Sequence, residues 1–205
     1  MYRRLPLLLT VSGLLLYGSL FGSTAATAAT TGHVPNARHH YCVARAPAAA
    51  KTPAASRPAA TCYATFPASI RAATRGLVRL SASTTPRSVT PGQINADAAA
   101  ASGASPDTTY VISIDYQNVN FGGSTLTWTQ SSKCGTFSAS SMPSGWNDAI
   151  SSVSASSGCA TTLFWNIDFG SPTYPIAKNG SKASLGSFND ETSSQTWCTA
   201  EPCGS

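Results

Sequence analysis

A six-residue motif that occurs twice, at 147–152 and 189–194, carries the residues best suited to chemistry. Both copies read Asn-Asp, two variable residues, then Ser-Ser. Their carboxylates, amides and short hydroxyls are oxygen ligands of the kind that surround Ca²⁺ in shells of about six to eight. With so few carboxylates per ion, we expect a dissociation constant of roughly 10⁻⁶ to 10⁻³ M. The alternative is that the motif only shapes turns, because Asn, Asp and Ser also hydrogen-bond the backbone of loops.

The motif belongs to a larger repeat in which an aromatic segment comes first. Tyr116–Gly123 aligns with Phe164–Ser171, which lies 48 positions later, through aromatic residues at the first and sixth positions. Trp146 and Phe188 then stand directly before the two motifs. Two units with the same order of elements indicate a duplicated supersecondary structure.

This arrangement resembles the paired Greek keys of the βγ-crystallin superfamily, and more narrowly its calcium-binding microbial members. The resemblance covers roughly residues 108 to 199. It implies a sandwich of two four-stranded Greek keys with two calcium ions, between which the two loops exchange ligands. The implied side-chain ligands are Asp148, Ser151, Asp190 and Ser193. The implied backbone-carbonyl ligands belong to Gln117, Ala149, Trp165 and Glu191, while Asn147 and Asn189 shape the loops.

One position departs from the family pattern. Ser171 stands where the aromatic hairpin ordinarily has a glycine, as Gly123 does in the first unit. That glycine holds a positive φ, which costs any other residue about 1 kcal/mol or more. We therefore expect the second hairpin to be strained, or shifted onto Gly170.

The periodicity of the chain predicts an all-β fold for its second half. Tyr110, Ile112, Ile114 and Tyr116 alternate with other residues, which indicates a strand with one buried face. Further short runs lie at 125–129, 150–155, 161–166, 173–176 and 194–198, and we expect seven or eight short strands in all. Frequent Gly, Asn, Ser and Pro between them are typical of a small sandwich, here the βγ-crystallin-like domain at 106–199.

The first half divides into segments of different composition. A basic start, an apolar stretch and small residues predict a signal peptide at 1–28, and hence a secreted, extracellular protein. An Ala/Pro-rich linker is expected at 29–61 and a partly helical segment at 62–105, with a short tail at 200–205. Helices are expected after Pro67 and after Thr90, ending near Gly76 and Gly103. The helical segment either docks on the β domain or serves as a pro-segment.

All six cysteines lie after the signal peptide, at 42, 62, 134, 159, 198 and 203. Export to an oxidising compartment predicts disulfides, although six cysteines permit 15 connectivities. Zinc is a poor alternative, because the chain has no Cys-x-x-Cys pair and its three histidines lie at 33, 39 and 40.

Charge is distributed unevenly along the chain. Before Pro106 there are ten basic residues and one acid, whereas the remainder has three lysines and seven acids. The net charge of +5 is therefore a poor argument for nucleic-acid binding. Arg71, Arg75 and Arg79 recur every four residues, either as a solvated face or as a surface for an acidic partner.

Catalysis is not expected, because the β domain has no histidine to act as a general base. The sequence favours a non-catalytic calcium-binding protein with a structural or binding role. A secreted peptidase inhibitor, like the crystallin-fold inhibitors of actinobacteria, is the alternative, with the loop at 130–145 or the Cys198–Cys203 tail presented to an extracellular protease. A carbohydrate- or cell-wall-binding module is a third interpretation, based on an outward-facing Trp165.

Overall fold

The computed structural model describes residues 40–49, 57–102 and 108–204. This part of the chain contains two α-helices, ten strands and three short 3₁₀ turns. The helices are α1 (Phe66–Ala73) and α2 (Pro91–Ser102). The first five strands are β1 (Tyr41–Arg45), β2 (Ala60–Tyr63), β3 (Tyr110–Asn118), β4 (Gly122–Gln130) and β5 (Phe137–Ala139). The last five are β6 (Ser152–Ala155), β7 (Ala160–Phe164), β8 (Thr173–Ile176), β9 (Ser181–Lys182) and β10 (Ser194–Cys198).

The strands form two sheets. One sheet has six strands in the order β2-β1-β4-β3-β6-β9, and the other has four in the order β5-β10-β7-β8. All pairs are antiparallel except β1 with β4. The predicted all-β class of the second half is confirmed, with β5 and β9 as strands that periodicity missed.

Each half of the β domain is a Greek key that donates one strand to the other half. In the first unit β3 pairs with β4 and with β6, while β5 crosses to the second sheet and pairs with β10. In the second unit β7 pairs with β8 and β10, while β9 crosses back and pairs with β6. The two units therefore exchange their third strands. Neither unit can complete its sheet alone.

The main core lies between the two sheets. Trp128 of the first sheet meets Trp197 of the second edge-on, with ring centroids 4.8 Å apart. Both side chains are fully buried, and Leu126, Ile150 and Leu163 fill the surrounding space. Burial of such side chains is worth about 1.5–3 kcal/mol each, so this contact joins the sheets.

A second core lies on the outer face of the six-stranded sheet, where the two helices pack. Phe66, Ile70 and Ile94 of the helices cluster with Val111 and Ile114 of β3. Thr65 caps α1 by accepting a hydrogen bond from the backbone N–H of Ala68 at 3.3 Å. The described residues of this segment, 62–102, thus pack against the β domain, and the described residues belong to one compact unit, Ala37–Ser205.

The linker predicted at 29–61 is wrong for the residues of β1 and for the first residues of β2. β1 runs parallel to β4, and the small side chains of Cys42, Ala44 and Ala46 fit into the main core. A five-residue strand whose main-core face carries only Cys and Ala gives little periodic signal, and its parallel partner lies more than eighty residues away. The parts of the predicted linker at 29–39 and 50–56 lie outside the described residues, as does the signal peptide at 1–28.

The single buried face predicted for the first β-domain strand is also wrong. A β-bulge shifts the register between Val111 and Ser113, so that Ile112 packs in the main core and Ile114 under the helices. Ser113 and Asp115 then face the main core, where they accept hydrogen bonds from the indole N–H groups of Trp197 at 2.9 Å and Trp128 at 2.7 Å.

Three disulfides join all six cysteines in the pairs Cys42–Cys62, Cys134–Cys159 and Cys198–Cys203. The first bridges neighbouring strands β1 and β2, the second fastens the loop after β4 to the start of β7, and the third returns the C-terminal tail to β10. The predicted use of cysteines in disulfides is confirmed. In the described part of the chain, no helix has the length and apolar character needed to cross a membrane.

Asp115 should make the stability of the fold depend on pH. Burial raises its pKa from 3.8 to about 7, although hydrogen bonds from Trp128 and Gln195 oppose the shift. Between about pH 4 and 7 the folded protein therefore holds a proton that the unfolded chain releases. The free energy of unfolding then falls as pH rises through this window, by up to about 1.4 kcal/mol per pH unit. Asp115→Asn, which still accepts from Trp128, should remove this slope in denaturant titrations with EDTA at pH 4.5 to 8. An equal slope in the variant would contradict the assignment.

Candidate functional site

The two aromatic segments predicted from the repeat are folded hairpins of the same shape. Tyr116 meets Phe121 and Phe164 meets Phe169, in both cases edge-on with ring centroids 5.4 Å apart. The residues at the hairpin tips also match in conformation, because Asn120, Phe121, Asp168 and Phe169 all have φ between 53° and 62°. Left-handed backbone outside glycine is uncommon, so its recurrence at equivalent positions shows that the duplication extends to the backbone.

The second serine of each motif fastens its loop to the hairpin of the same unit. Ser152 donates to the carbonyl of Asn118 at 2.7 Å and accepts from the backbone N–H of Phe121 at 3.0 Å. Ser194 makes the equivalent bonds to Asn166 at 2.6 Å and Phe169 at 3.1 Å. Sequence reasoning assigned these serines no role. Their recurrence in both motifs was the only available signal.

The first serine of each motif contacts the carboxylate of the other motif. The Ser151 hydroxyl lies 3.0 Å from Asp190 Oδ1, and the Ser193 hydroxyl lies 3.1 Å from Asp148 Oδ1. Both loops are also joined through their backbones, since Asp148 N–H donates to Thr192 and Asp190 N–H donates to Ile150. The structure thus brings the four predicted side-chain ligands together as two pairs, and each pair has one residue from each of the two loops.

Both aspartates are exposed, whereas both serines are buried. Asp148 and Asp190 have φ of 53° and 57°. This left-handed conformation costs about 1 kcal/mol for a residue with a side chain, although Asp tolerates it better than most. Backbone strain of this kind is concentrated at binding and catalytic sites.

The donor set of each pair fits a hard cation. Oxygens that share one calcium ion at about 2.3–2.6 Å lie about 3 Å apart, close to the spacing of each serine–aspartate pair. Among the residues that the structure describes, none donates a hydrogen bond to the carbonyl of Ala149 or Glu191. These two predicted carbonyl ligands therefore have oxygens free for an ion. No cluster of three or more His, Cys, Asp or Glu exists in the described part of the chain, so any ion here would rely on hydroxyl and carbonyl oxygens.

Each of the remaining two predicted carbonyl ligands directly follows a residue whose carbonyl contacts a serine of the pairs. Gln117 follows Tyr116, whose carbonyl accepts from the Ser151 N–H at 2.9 Å. Trp165 follows Phe164, whose carbonyl accepts from the Ser193 N–H, also at 2.9 Å. Each hairpin therefore touches the serine of its own unit, which in turn contacts the aspartate of the other.

The asparagines of the two motifs bond within their own loops. Asn147 donates to the carboxylate of Asp148 at 2.6 Å, and Asn189 accepts from the backbone N–H of Leu185 at 3.0 Å. Neither contact reaches the other loop.

The strain expected at Ser171 is wrong, and so is the alternative shift onto Gly170, which has φ of −72°. Gly123 has φ of 77°, but Ser171 is not among the residues with positive φ. The backbone after the tip of the second hairpin differs from that of the first. Ser171 precedes a cis Pro172, and the Ser171 carbonyl accepts a hydrogen bond from the Asn166 side chain at 2.9 Å. A glycine is still needed for close packing at Gly170, where an added Cβ would lie 2.7 Å from Cβ of Asn166.

Trp165 is not the outward-facing platform that the sequence suggested. Its ring is half-buried and meets the ring of Phe188 edge-on at 5.5 Å. The residue comes directly after β7, where the chain leaves the regular alternation of the strand. Its side chain therefore supports the core, and the interpretation as a carbohydrate-binding module loses its main residue.

The solved structures that resemble this chain are βγ-crystallin domains. A βγ-crystallin from Ciona intestinalis is 30% identical, with a TM-score of 0.33, and the match covers 40% of this chain and 94% of that one. A βγ-crystallin from an archaeon is 25% identical, with a TM-score of 0.32, covering 42% and 94%. A βγ-crystallin domain from Clostridium beijerinckii is 18% identical, with a TM-score of 0.32, covering 43% and 99%. No protein-family model and no curated protein matches the chain.

Removing the second serine of either motif should destabilise the domain even without metal. Ser152→Ala or Ser194→Ala leaves a backbone N–H and a carbonyl without their partner, which costs about 1–3 kcal/mol. Urea denaturation in EDTA measures this cost, and the exposed Ser187→Ala serves as the control. Variants as stable as the control would show that these hydroxyls do not hold the loops.

Proposed function

We propose that this chain is a secreted, non-catalytic βγ-crystallin-like protein that binds two calcium ions and has a structural or binding role. The observation that carries the proposal is the reciprocal contact between the loops, in which Ser151 meets Asp190 and Ser193 meets Asp148. An ion at either pair would take ligands from both Greek keys. Calcium would then add a link between two units that already exchange strands.

The chemistry of each pair favours calcium over zinc and magnesium. Zinc prefers thiolate and imidazole ligands, but every cysteine is in a disulfide and the single described histidine, His40, is remote in sequence from both motifs. Magnesium demands near-ideal octahedral geometry, whereas calcium accepts irregular shells of hydroxyl, carbonyl and carboxylate oxygens. The mixed oxygen donors of these loops therefore suit calcium better than magnesium.

An extracellular location is part of the proposal and rests on two features. The first 28 residues have the composition of a signal peptide. Three disulfides within the described residues indicate an oxidising compartment. Moderate calcium sites suit such a compartment, because calcium there reaches millimolar levels. At a concentration one hundred times Kd, each ion would stabilise the fold by about 2.7 kcal/mol.

Calcium titration of the oxidised protein tests the proposal directly. We expect about two ions per chain by calorimetry and a melting temperature higher by roughly 5–10 °C in millimolar calcium than in EDTA. Asp148→Asn combined with Asp190→Asn should abolish both effects while keeping the size of the side chains. Asp168→Asn, which removes one exposed carboxylate at a hairpin tip, should keep both.

Two results would contradict this function. One is the absence of binding heat and of thermal shift in the unchanged protein, which would leave the motifs as loop supports. The other is an equal calcium response in the double variant and in Asp168→Asn, which would place the ions elsewhere.

A peptidase inhibitor is the second candidate, and one observation favours it. The four residues between Cys198 and Cys203 are exposed, while their disulfide ties both ends to the folded domain. A short loop that is rigid before binding is the form in which many inhibitors present themselves to proteases. A panel of secreted serine and metalloproteases would test it. Inhibition that is lost in Cys198→Ser/Cys203→Ser would favour this candidate, and no inhibition would remove it.

A further inference from the structure

The exposed side of α1 forms a wide groove together with the loop that follows the helix. The groove has a volume of about 700 Å³ and lies apart from the residues proposed to bind calcium. Apolar atoms line much of it, contributed by Tyr63, Ala68 and Leu80 among others. Its charged residues are Arg71, Arg75 and Arg79, the three arginines that recur every four positions in the sequence.

No acidic side chain lines this groove. Within residues 40–49, 57–102 and 108–204, Arg71 and Arg79 have no carboxylate partner, and both are exposed. All basic residues described before position 103, other than the histidine, are arginines, against a single acid, Asp97. Arginine presents a planar fork of donors that matches a carboxylate or phosphate, and it is less strongly hydrated than lysine.

The charge of the chain's other segments argues for an occupant from outside the chain. Three segments lie outside the described residues, at 1–39, 50–56 and 103–107. They contain the basic residues Arg3, Arg4, Arg38 and Lys51 but only one acid, Asp107. Their net charge is positive, so they would be repelled by a groove lined with guanidinium groups. A complementary occupant must be acidic.

We propose that the groove binds an acidic peptide segment of a partner protein, one that combines carboxylates with apolar side chains. The carboxylates would meet Arg71 and Arg79, and the apolar side chains would cover Ala68, Leu80 and their neighbours. A phosphate polymer would satisfy the arginines but has no apolar surface to bury against the rest of the groove. The lining therefore favours a peptide over a polyanion that carries charge alone.

A binding assay with defined peptides tests this proposal on the oxidised full chain. The probe is a fluorescein-labelled ten-residue peptide in which Glu alternates with Leu, followed by fluorescence anisotropy at 50 and 300 mM NaCl. We expect saturable binding that weakens with salt, because exposed charge pairs are screened at higher ionic strength. Peptides that alternate Gln with Leu, or Glu with Ser, should bind at least about tenfold more weakly, since each lacks one half of the recognition.

Two sets of variants locate the binding. Arg71→Gln/Arg79→Gln should weaken binding about tenfold, whereas Arg57→Gln/Arg87→Gln, which changes the net charge equally at exposed arginines outside the groove, should not. Ala68→Glu puts a carboxylate into the groove and should also weaken binding. The fold should tolerate this change, because a Glu three residues after the N-cap Thr65 completes a capping box for α1.

Several outcomes would overturn the proposal. Absence of binding by the Glu–Leu peptide would do so, as would equal loss of affinity in the two double-arginine variants. Polyphosphate that binds more tightly than the peptide, with the same dependence on Arg71 and Arg79, would show that the groove takes anionic polymers instead. Calcium binding should be unaffected in every variant, so failure here is separate from failure of the proposed function.

Discussion

The candidate site formed by the two loops depends on the different contacts that the two serines of each motif make. The second serine, Ser152 or Ser194, bonds the backbone of the hairpin in its own unit, and this fixes where the loop ends and the next strand begins. The first serine is then held one residue away, buried, with its hydroxyl facing the other loop. Because both units make these contacts, the aspartate of each loop lies next to the first serine of the other loop. The site exists only once both halves have folded and exchanged their third strands.

The N-terminal segment is part of this architecture. β3 is buried on both faces, by the second sheet on one side and by α1 and α2 on the other. A two-sheet sandwich without the helices would expose Val111, Ile114 and neighbouring apolar residues to water, at about 25 cal/mol for each Å². Asp115 is buried on the face toward the second sheet, because the bulge at Ile112 turns that carboxyl toward Trp128 in the main core. The positions of the helices, the bulge and the buried Asp115 therefore all follow from how β3 packs on its two faces.

The repeat and the alternation of residues predicted the sandwich, because both signals arise from local constraints. Side chains alternate across a strand, and a duplicated motif keeps its turn residues. The predictions that proved wrong concern features set by contacts that neither the alternation nor the repeat encodes. β1 contains Cys42 and Ala44, which acquire a buried role only through pairing with β4. The bulge at Ile112 depends on pairing between β3 and β4, and the exit route at Ser171 depends on Asn166 and Pro172. Four of the eight predicted site residues proved to be adjacent as side-chain pairs, since the repeat itself encoded their equivalence.

The scarcity of charge in this chain gives its charged groups particular meaning. Only 10% of the residues are Asp, Glu, Lys or Arg. Exposed ion pairs contribute about 0–1 kcal/mol, so a protein gains little stability by placing single charges on its surface. Yet two exposed carboxylates recur at equivalent points of the two motif loops, and two exposed arginines without acidic partners among the described residues face one groove. Disulfides and two packed cores already account for the fold. The acidic loops and the basic groove are therefore the features on which the two proposals rest, calcium at one place and an acidic peptide at the other.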